Sequence, residues 1–492
     1  MIGKLKKFFN KINAMSPAAK ASFWFVVSNI ALKGISFITT PIFTRLMDVA
    51  DYGTTSVFVT WEGVISIFAT LTLSGGVYNV AMTKYEDDVD AYTSSMLGLT
   101  ALASVLVYTV CILINILFPT LFEMNNAYLL YMWLQTFTSA ATSFWIMRQR
   151  FNFKYKKVIA FTFVNAIGSP AIAIAAIYVF PGHKAFAKVI GAGVVGIVIG
   201  LYILVTSLRK GKTLFHKKYW TYALKFNLPL LPHYLSSIWL NSGDKLMLDN
   251  MISRESAGLY SIAHSITGVV SIVTQAINHS LIPYTLQSIK KDKLKDLYIT
   301  VLGCSTLVGI ICIGIVLFAK EGILIFATEE YLDAIWFVAP LAFSVLVAFV
   351  TGLIGNILFY YEKTGHMSAI SITCGVANIV LNAIGLTLFG AIAVGYTTLV
   401  CSFLQMFLYY FTVKKFEKNL DKIINLKFLF CIYGAFAVLM IYSMLFYNSL
   451  VMKIALILVI LLALIVFRKK IIGMFKTMKE GKNDNNGQEA NA

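Results

Sequence analysis

Charge is scarce in this chain. Asp, Glu, Lys and Arg make up 13% of its 492 residues, about half the share of a soluble domain. That excludes a soluble globule wrapped in a polar surface. Cysteine is scarce as well: there are six, at 111, 304, 312, 374, 401 and 431, with no CxxC pair. All six fall in apolar runs, which excludes a disulfide framework or a zinc site and predicts buried packing thiols. Long polar segments are missing. The longest loop between apolar runs is RKGKTLFHKKYWTYALK, residues 209–225, too short for a soluble catalytic domain. No Walker A, Gly-rich nucleotide loop, Ser-nucleophile motif or HExxH occurs. An ATP-driven pump is therefore excluded, and no enzyme is expected. The period-two strands of a membrane barrel are absent too.

What remains is apolar: 58% of residues are hydrophobic and the mean hydropathy is +0.77. Runs of about 20 apolar residues are long enough to cross a bilayer as helices. The fold class expected is an all-α polytopic membrane protein with about fourteen spans. Span one follows a basic stretch, MIGKLKKFFNKINAM, holds Lys33 and runs on to Leu46 with no small-residue cleavage site, so it reads as retained. The basic stretch suits a short amphipathic helix on the inner leaflet. Spans 367–389 and 391–413 meet almost directly at Gly390.

The formal net charge of +18 would suggest a nucleic-acid partner in a soluble protein. Here the positive-inside rule accounts for it, and no nucleic acid is expected. With the N-terminus inside, the inward segments hold 33 Lys and Arg, and the outward side holds six: Arg45, Lys184, Lys188, Arg254, Lys320 and Lys453. That split predicts a multi-pass protein of the cytoplasmic (inner) membrane with both termini cytoplasmic. The tail after Lys479 reads as disordered and cytoplasmic.

A weak internal repeat organises the spans. MDVADYGTTSVF after span one matches ISRESAGLYSIA after span seven when Gly53 is set on Gly258. The expected plan is a basic cytoplasmic segment at 1–20, an N-lobe at 21–208 (spans one to six) and a cytoplasmic linker at 209–225. A C-lobe follows at 226–413 (spans seven to twelve), then a linker with spans thirteen and fourteen at 414–467, and a cytoplasmic tail at 468–492. Parallel repeats with substrate between them are a known transporter plan.

Ionisable groups inside spans are costly, about 2.5–3.5 kcal/mol each on insertion scales. Four stand out: Lys33, Glu62, Asp244 and Lys245, with Asp249 at the end of span seven. On a helix Lys245 and Asp249 are four apart and can pair. Asp244 then lacks a charged partner on its own span, and Lys33 is the candidate cation. Arg148 sits at an inner span end. His233 and His264, with His279, give polarity to spans seven and eight, where a proton relay is one role and plain packing the other. Gln275 and Asn278 are candidate cavity-lining groups. Pro41 in span one, and Pro229 with Pro232 in span seven, are candidate kinks. Each also has a bland reading: a wet span end, a snorkelling lysine or a static kink.

The stretch FNLPLLPHYLSSIWLNSGDKLMLDNMISRESAGLYSIAHSI resembles spans seven and eight of bacterial polysaccharide repeat-unit flippases. PIFTRLMDVADYGTTSVF and SGGVYNVAMTKYEDDVDAYTSSMLGL agree in the first lobe. The family lies in the multidrug/oligosaccharidyl-lipid/polysaccharide flippase superfamily, and the resemblance runs to about residue 467. It implies two six-helix lobes around a central cavity, plus two C-terminal helices. It also implies alternating access that moves an undecaprenyl-pyrophosphate-linked oligosaccharide outward. Asp244 falls at the family's span-seven Asp, and Lys33, Lys245 and Arg148 are the cations available to an anionic carrier. The partners implied are the lipid-linked oligosaccharide, membrane lipids, and a polysaccharide polymerase with chain-length machinery. No cofactor is expected, with H⁺ or Na⁺ as the coupling ion. The alternatives are a cation-coupled drug or metabolite exporter and a peptidoglycan-precursor flippase of the same superfamily.

Overall fold

In the computed structural model, residues 24, 34–152, 154–290, 294–361 and 363–458 are described. Lys33, the segment 1–20 and the tail 468–492 lie outside them. Among the described residues there is no strand, as the hydropathy pattern predicts. Nine of the described helices are long and apolar enough to cross a bilayer. The expected spans not among these nine differ for physical reasons. Spans one and fourteen run into residues outside those described. Spans two and seven are broken. Span four is continuous over Asn126–Phe151 but carries Gln135, Thr136, Thr138, Ser139, Thr142 and Ser143 on its length.

The chain divides into two compact units, Met1–Asn250 and Met251–Ala492. In the first unit, α1 covers 34–46, α2 Val49–Thr70, α3 Gly76–Lys84, α4 Val89–Leu117 and α5 Asn126–Phe151. It continues with α6 Tyr155–Val179, α7 Lys184–Gly211, α8 Lys217–Asn227, α9 Leu231–Ile238 and α10 Asp244–Met251. Its core gathers Tyr78, Tyr92, Phe144 and Tyr219 with Met96, Leu97 and Ala223. Glycines on α7 bring helices close: Gly200 meets the Thr138 backbone of α5, and Gly191 meets Ala173 of α6. Small residues give membrane helices this approach, because lipid supplies no hydrophobic drive between them.

The 209–225 linker is not a plain loop. Lys217–Asn227 is a helix whose Tyr219, Ala223 and Asn227, spaced four apart, are buried. In span one, α1 continues as helix through Pro41. Proline removes one helical donor. Around it the Thr40 and Thr44 hydroxyls donate to the Ser36 and Thr40 carbonyls at 2.8 and 3.1 Å, and Arg45 Nη1 reaches the Pro41 carbonyl at 2.9 Å.

The second unit holds α11 Arg254–Lys290, α12 Leu294–Leu317, α13 Ala319–Phe326, α14 Ile335–Tyr360, α15 Thr364–Phe389 and α16 Ala393–Lys414. Then come α17 Leu420–Ile423, α18 Leu426–Leu445 and α19 over 450–458. Gly390, at φ +72°, makes the near-direct turn between α15 and α16. The Pro340 ring of α14 fills the notch at Gly395 of α16, and the Phe436 ring of α18 sits on Gly309 of α12. At one end Lys453 of α19 is buried and paired with Glu321 of α13, while Lys320 donates to Asn448 at 2.7 Å. The last two described helices are thus fastened to this unit. Five cysteines are buried, but Cys431 is exposed. It lies on α18, whose Phe428, Phe430, Val438 and Ile441 are exposed as well, so it is an exception to the expected packing role.

The two matched segments begin their helices alike. Asp48 caps α2 by accepting from the Asp51 N–H at 2.7 Å. Ser253 accepts from the Ser256 N–H at 3.2 Å at the start of α11. Gly53 and Gly258 each lie five residues beyond the capping side chain and are buried.

Candidate functional site

Span seven is irregular along its length. After α8 come a tight 3₁₀ turn at Leu228–Leu230, the short α9, a π turn at Trp239–Gly243 and then α10. Pro229 and Pro232 sit at the first of these breaks, where missing N–H groups cost least. The π turn falls in NSGD, directly before Asp244. It exists because Gly243 has no side chain: a Cβ there would lie 2.7 Å from the Trp239 ring. Such single wide turns concentrate at functional sites.

Span two is broken as well, between α2 and α3. Leu71 and Thr72 adopt left-handed φ values of 49° and 47°, which cost a residue with a Cβ. No proline announces this break. Within lipid, irregular backbone needs other protein groups to satisfy it. The buried Asn227 amide does so, donating to the Leu71 carbonyl at 2.9 Å. The Thr72 hydroxyl is buried and has no hydrogen-bond partner among the described residues. Gly63 of α2 admits Ile238 of α9, its hypothetical Cβ lying 3.7 Å from the Ile238 side chain. The two broken spans therefore pack on one another inside the first unit.

Glu62 lies on α2. Its carboxylate accepts from Gln135 Nε2 of α5 at 3.3 Å, and among the described residues it has no ion-pair partner. The Gln135 carbonyl oxygen is buried without a partner among the described residues. Gly193 of α7 opens the space: a Cβ there would collide with the Tyr131 hydroxyl and lie 2.8 Å from Gln135 Oε1. Tyr131 donates to the Ile190 carbonyl at 2.7 Å. The arrangement is a carboxylate among neutral hydrogen-bonding groups, which can hold a proton or a small cation and release it.

Asp244 and Asp249 are buried, at 3% and 4% exposure. Lys245 lies in the field of Asp244. On α10 Asp249 is buried along with Leu246 and Leu248, while Lys245 is partly exposed. Arg148 is paired with Asp90 of α4, which ties the ends of two helices. His233 falls on α9. In the second unit His264 stacks on Tyr260 with centroids 6.2 Å apart. Gln275 is exposed, and Asn278 packs at Gly352 of α14 with its carbonyl oxygen unpartnered among the described residues.

Lys188, counted in the sequence among the outward cations, is enclosed where α1, α2 and α7 meet. Its Nζ donates to Thr55 Oγ1 at 3.0 Å and lies 4.7 Å from the Phe43 ring and 4.2 Å from the Tyr52 ring. No carboxylate pairs with it among the described residues. Its nearness in sequence to Lys184 hid this, although the pattern KAFAKVIGAG places it one turn inside α7.

Residues 18–289 match the model of a family described as polysaccharide biosynthesis protein. A Haemophilus influenzae protein, Lsg locus putative protein 1, is 20% identical over 411 residues, covering 82% of this chain and 99% of its own. Among solved structures, the lipid II flippase MurJ in an inward closed conformation superposes with a TM-score of 0.58 at 14% identity. The match covers 88% of this chain and 99% of that one. An inward-facing multidrug resistance MATE family transporter of the MOP superfamily superposes with a TM-score of 0.59 at 11% identity, covering 80% and 99%.

Proposed function

This chain belongs to the polysaccharide biosynthesis protein family, and from that premise we propose that it carries a lipid-linked oligosaccharide across the cytoplasmic membrane. The substrate is an undecaprenyl-pyrophosphate-linked repeat unit, moved from the inner to the outer leaflet by alternating access. The basic segment ends face the cytoplasm. The observation that carries this reading is the pair of interrupted spans, two and seven, packed together in the unit that also buries Asp244 and Asp249. A sugar headgroup cannot enter hydrocarbon with its hydroxyls unsatisfied, so its carrier needs polar groups at membrane depth and backbone that can re-arrange. Coupling to H⁺ or Na⁺ runs through Glu62, whose neutral surroundings let its charge change without breaking an ion pair.

The test is a deletion strain assayed for surface polysaccharide and for lipid-linked repeat units facing the cytoplasm. Loss of the glycan with inward accumulation of those units is expected, and the full chain restores export. An unchanged glycan in a strain with no second flippase would sink the assignment. In vesicles, Glu62→Gln is expected to lower transport at least tenfold and to remove its dependence on the ion gradient. Retained gradient dependence would move coupling to another group.

A further inference from the structure

The basic end of the first unit carries a second feature that the transport reading leaves unused. Lys84, the last residue of α3, places its Nζ 4.1 Å from the Tyr222 ring centroid and 5.7 Å from that of Tyr85. Lys218 on α8 places its Nζ 5.6 Å from the Tyr85 ring. The two rings stand edge to face, 5.9 Å apart at 86°. Both lysines are exposed and both tyrosines are half-buried. The platform is rigid from behind: Tyr85 stacks on Tyr92 at 5.4 Å and meets Tyr219 at 4.9 Å. The Tyr219 hydroxyl donates to Asp88 at 3.4 Å. Among the described residues neither lysine has a carboxylate partner. Exposed Glu86 and Asp87 follow on the adjoining turn.

We propose that this platform binds a sugar joined to a diphosphate, the headgroup of a lipid-linked saccharide, before it enters the membrane path. This rests on the function proposed above. Two ammonium groups flanking two fixed aromatic faces match such a headgroup part by part. Lysines take phosphate oxygens as point charges. The tyrosine faces take the apolar C–H face of a pyranose, an amphipathic fit of the kind aromatic rings provide. Glu86 and Asp87 are acceptors for sugar hydroxyls and repel the diphosphate toward the lysine side. The linker helix α8, held on the unit by Tyr219, Ala223 and Asn227, brings Lys218 and Tyr222 to residues more than a hundred positions earlier. A linker that served topology alone would need only its charge. An ordinary interfacial belt of lysine and tyrosine would not place two ammoniums over rings contributed by two separate elements.

A nucleotide sugar has the same sugar–diphosphate chemistry, so the experiment separates the two sources. The full chain in nanodiscs is titrated with a fluorescent short-chain polyprenyl diphosphate N-acetylglucosamine. UDP-N-acetylglucosamine and farnesyl diphosphate serve as competitors. The wild type is expected to bind the lipid-linked sugar. Lys84→Gln with Lys218→Gln is expected to weaken binding about tenfold or more, as loss of charge-assisted hydrogen bonds does. Tyr222→Leu should weaken the sugar-bearing probe while leaving farnesyl diphosphate unchanged. All three residues are at least partly exposed, so the fold should survive, which gel filtration of the variants checks. Binding of the variants within twofold of wild type overturns the site but leaves the transport reading standing. UDP-N-acetylglucosamine competing as tightly as the lipid-linked sugar overturns the lipid source. A wild type that binds no probe overturns the site, and the deletion strain then decides the transport reading separately.

Discussion

At the scale of single residues, the first unit surrounds Glu62 and Lys188 in opposite ways. Glu62 is met by neutral hydrogen-bonding groups and Lys188 by two aromatic rings and a hydroxyl. An enclosed ammonium over aromatic faces gains about 0.5–2 kcal/mol. Tyr52→Leu is therefore expected to lower the thermal midpoint, and combining it with Lys188→Met should recover most of the loss. A double-mutant cycle by thermal unfolding in detergent should show coupling of about 1 kcal/mol, and additive losses would show that the ring does not support the ammonium. That Glu62 and Asp244 lie within apolar runs was legible, whereas Asp249, read at a span end, is buried at 4% exposure. Partners were not legible. Gln135 is 73 positions from Glu62 and Asp90 is 58 from Arg148, and hydropathy carries no information on which faces of distant helices meet. The enclosure of Lys188 was not legible, because a count by segment treats every cation near a span end alike.

At the scale of elements, most spans were legible because long apolar runs satisfy the backbone only as helices. The breaks were legible where a residue forces them, as Pro229 and Pro232 do. They were hidden where tertiary contacts pay for them, as at Leu71 and Thr72, and Pro41 shows the converse, a proline absorbed within a helix. Asn227→Ala removes the donor to the partly buried Leu71 carbonyl, so a stability loss of about 1–3 kcal/mol is expected by denaturant titration. An unchanged midpoint would mean that water reaches the break. Gly243→Ala sets a Cβ against the Trp239 ring and is expected to lower both folded yield and transport, with Trp239→Leu restoring yield in the double variant. A Gly243→Ala chain as stable as wild type would show that the π turn is not held by that glycine. The helical character of 217–227 was within reach of the sequence, since Tyr219, Ala223 and Asn227 repeat every four residues. The dense lysines around them drew the reading toward topology.

At the scale of the whole molecule, the chain divides after Asn250, so span seven is built into the same compact unit as the six spans before it. Asn227 on Leu71 and Ile238 at Gly63 are what hold it there. The basic stretch that looks like a seam in the sequence is not where the structure parts, because a charge run marks a crossing of the membrane surface and not the limit of a packing unit. This bears on how the protein can be made in pieces. Two separately translated polypeptides, 1–252 and 253–492, should each keep their internal packing and together restore glycan export when co-expressed. A pair cut at 215/216 strips span seven from its partners and should fail, with the shorter piece degraded. Equal rescue by both pairs would mean that span seven finds its place after synthesis, without the covalent link.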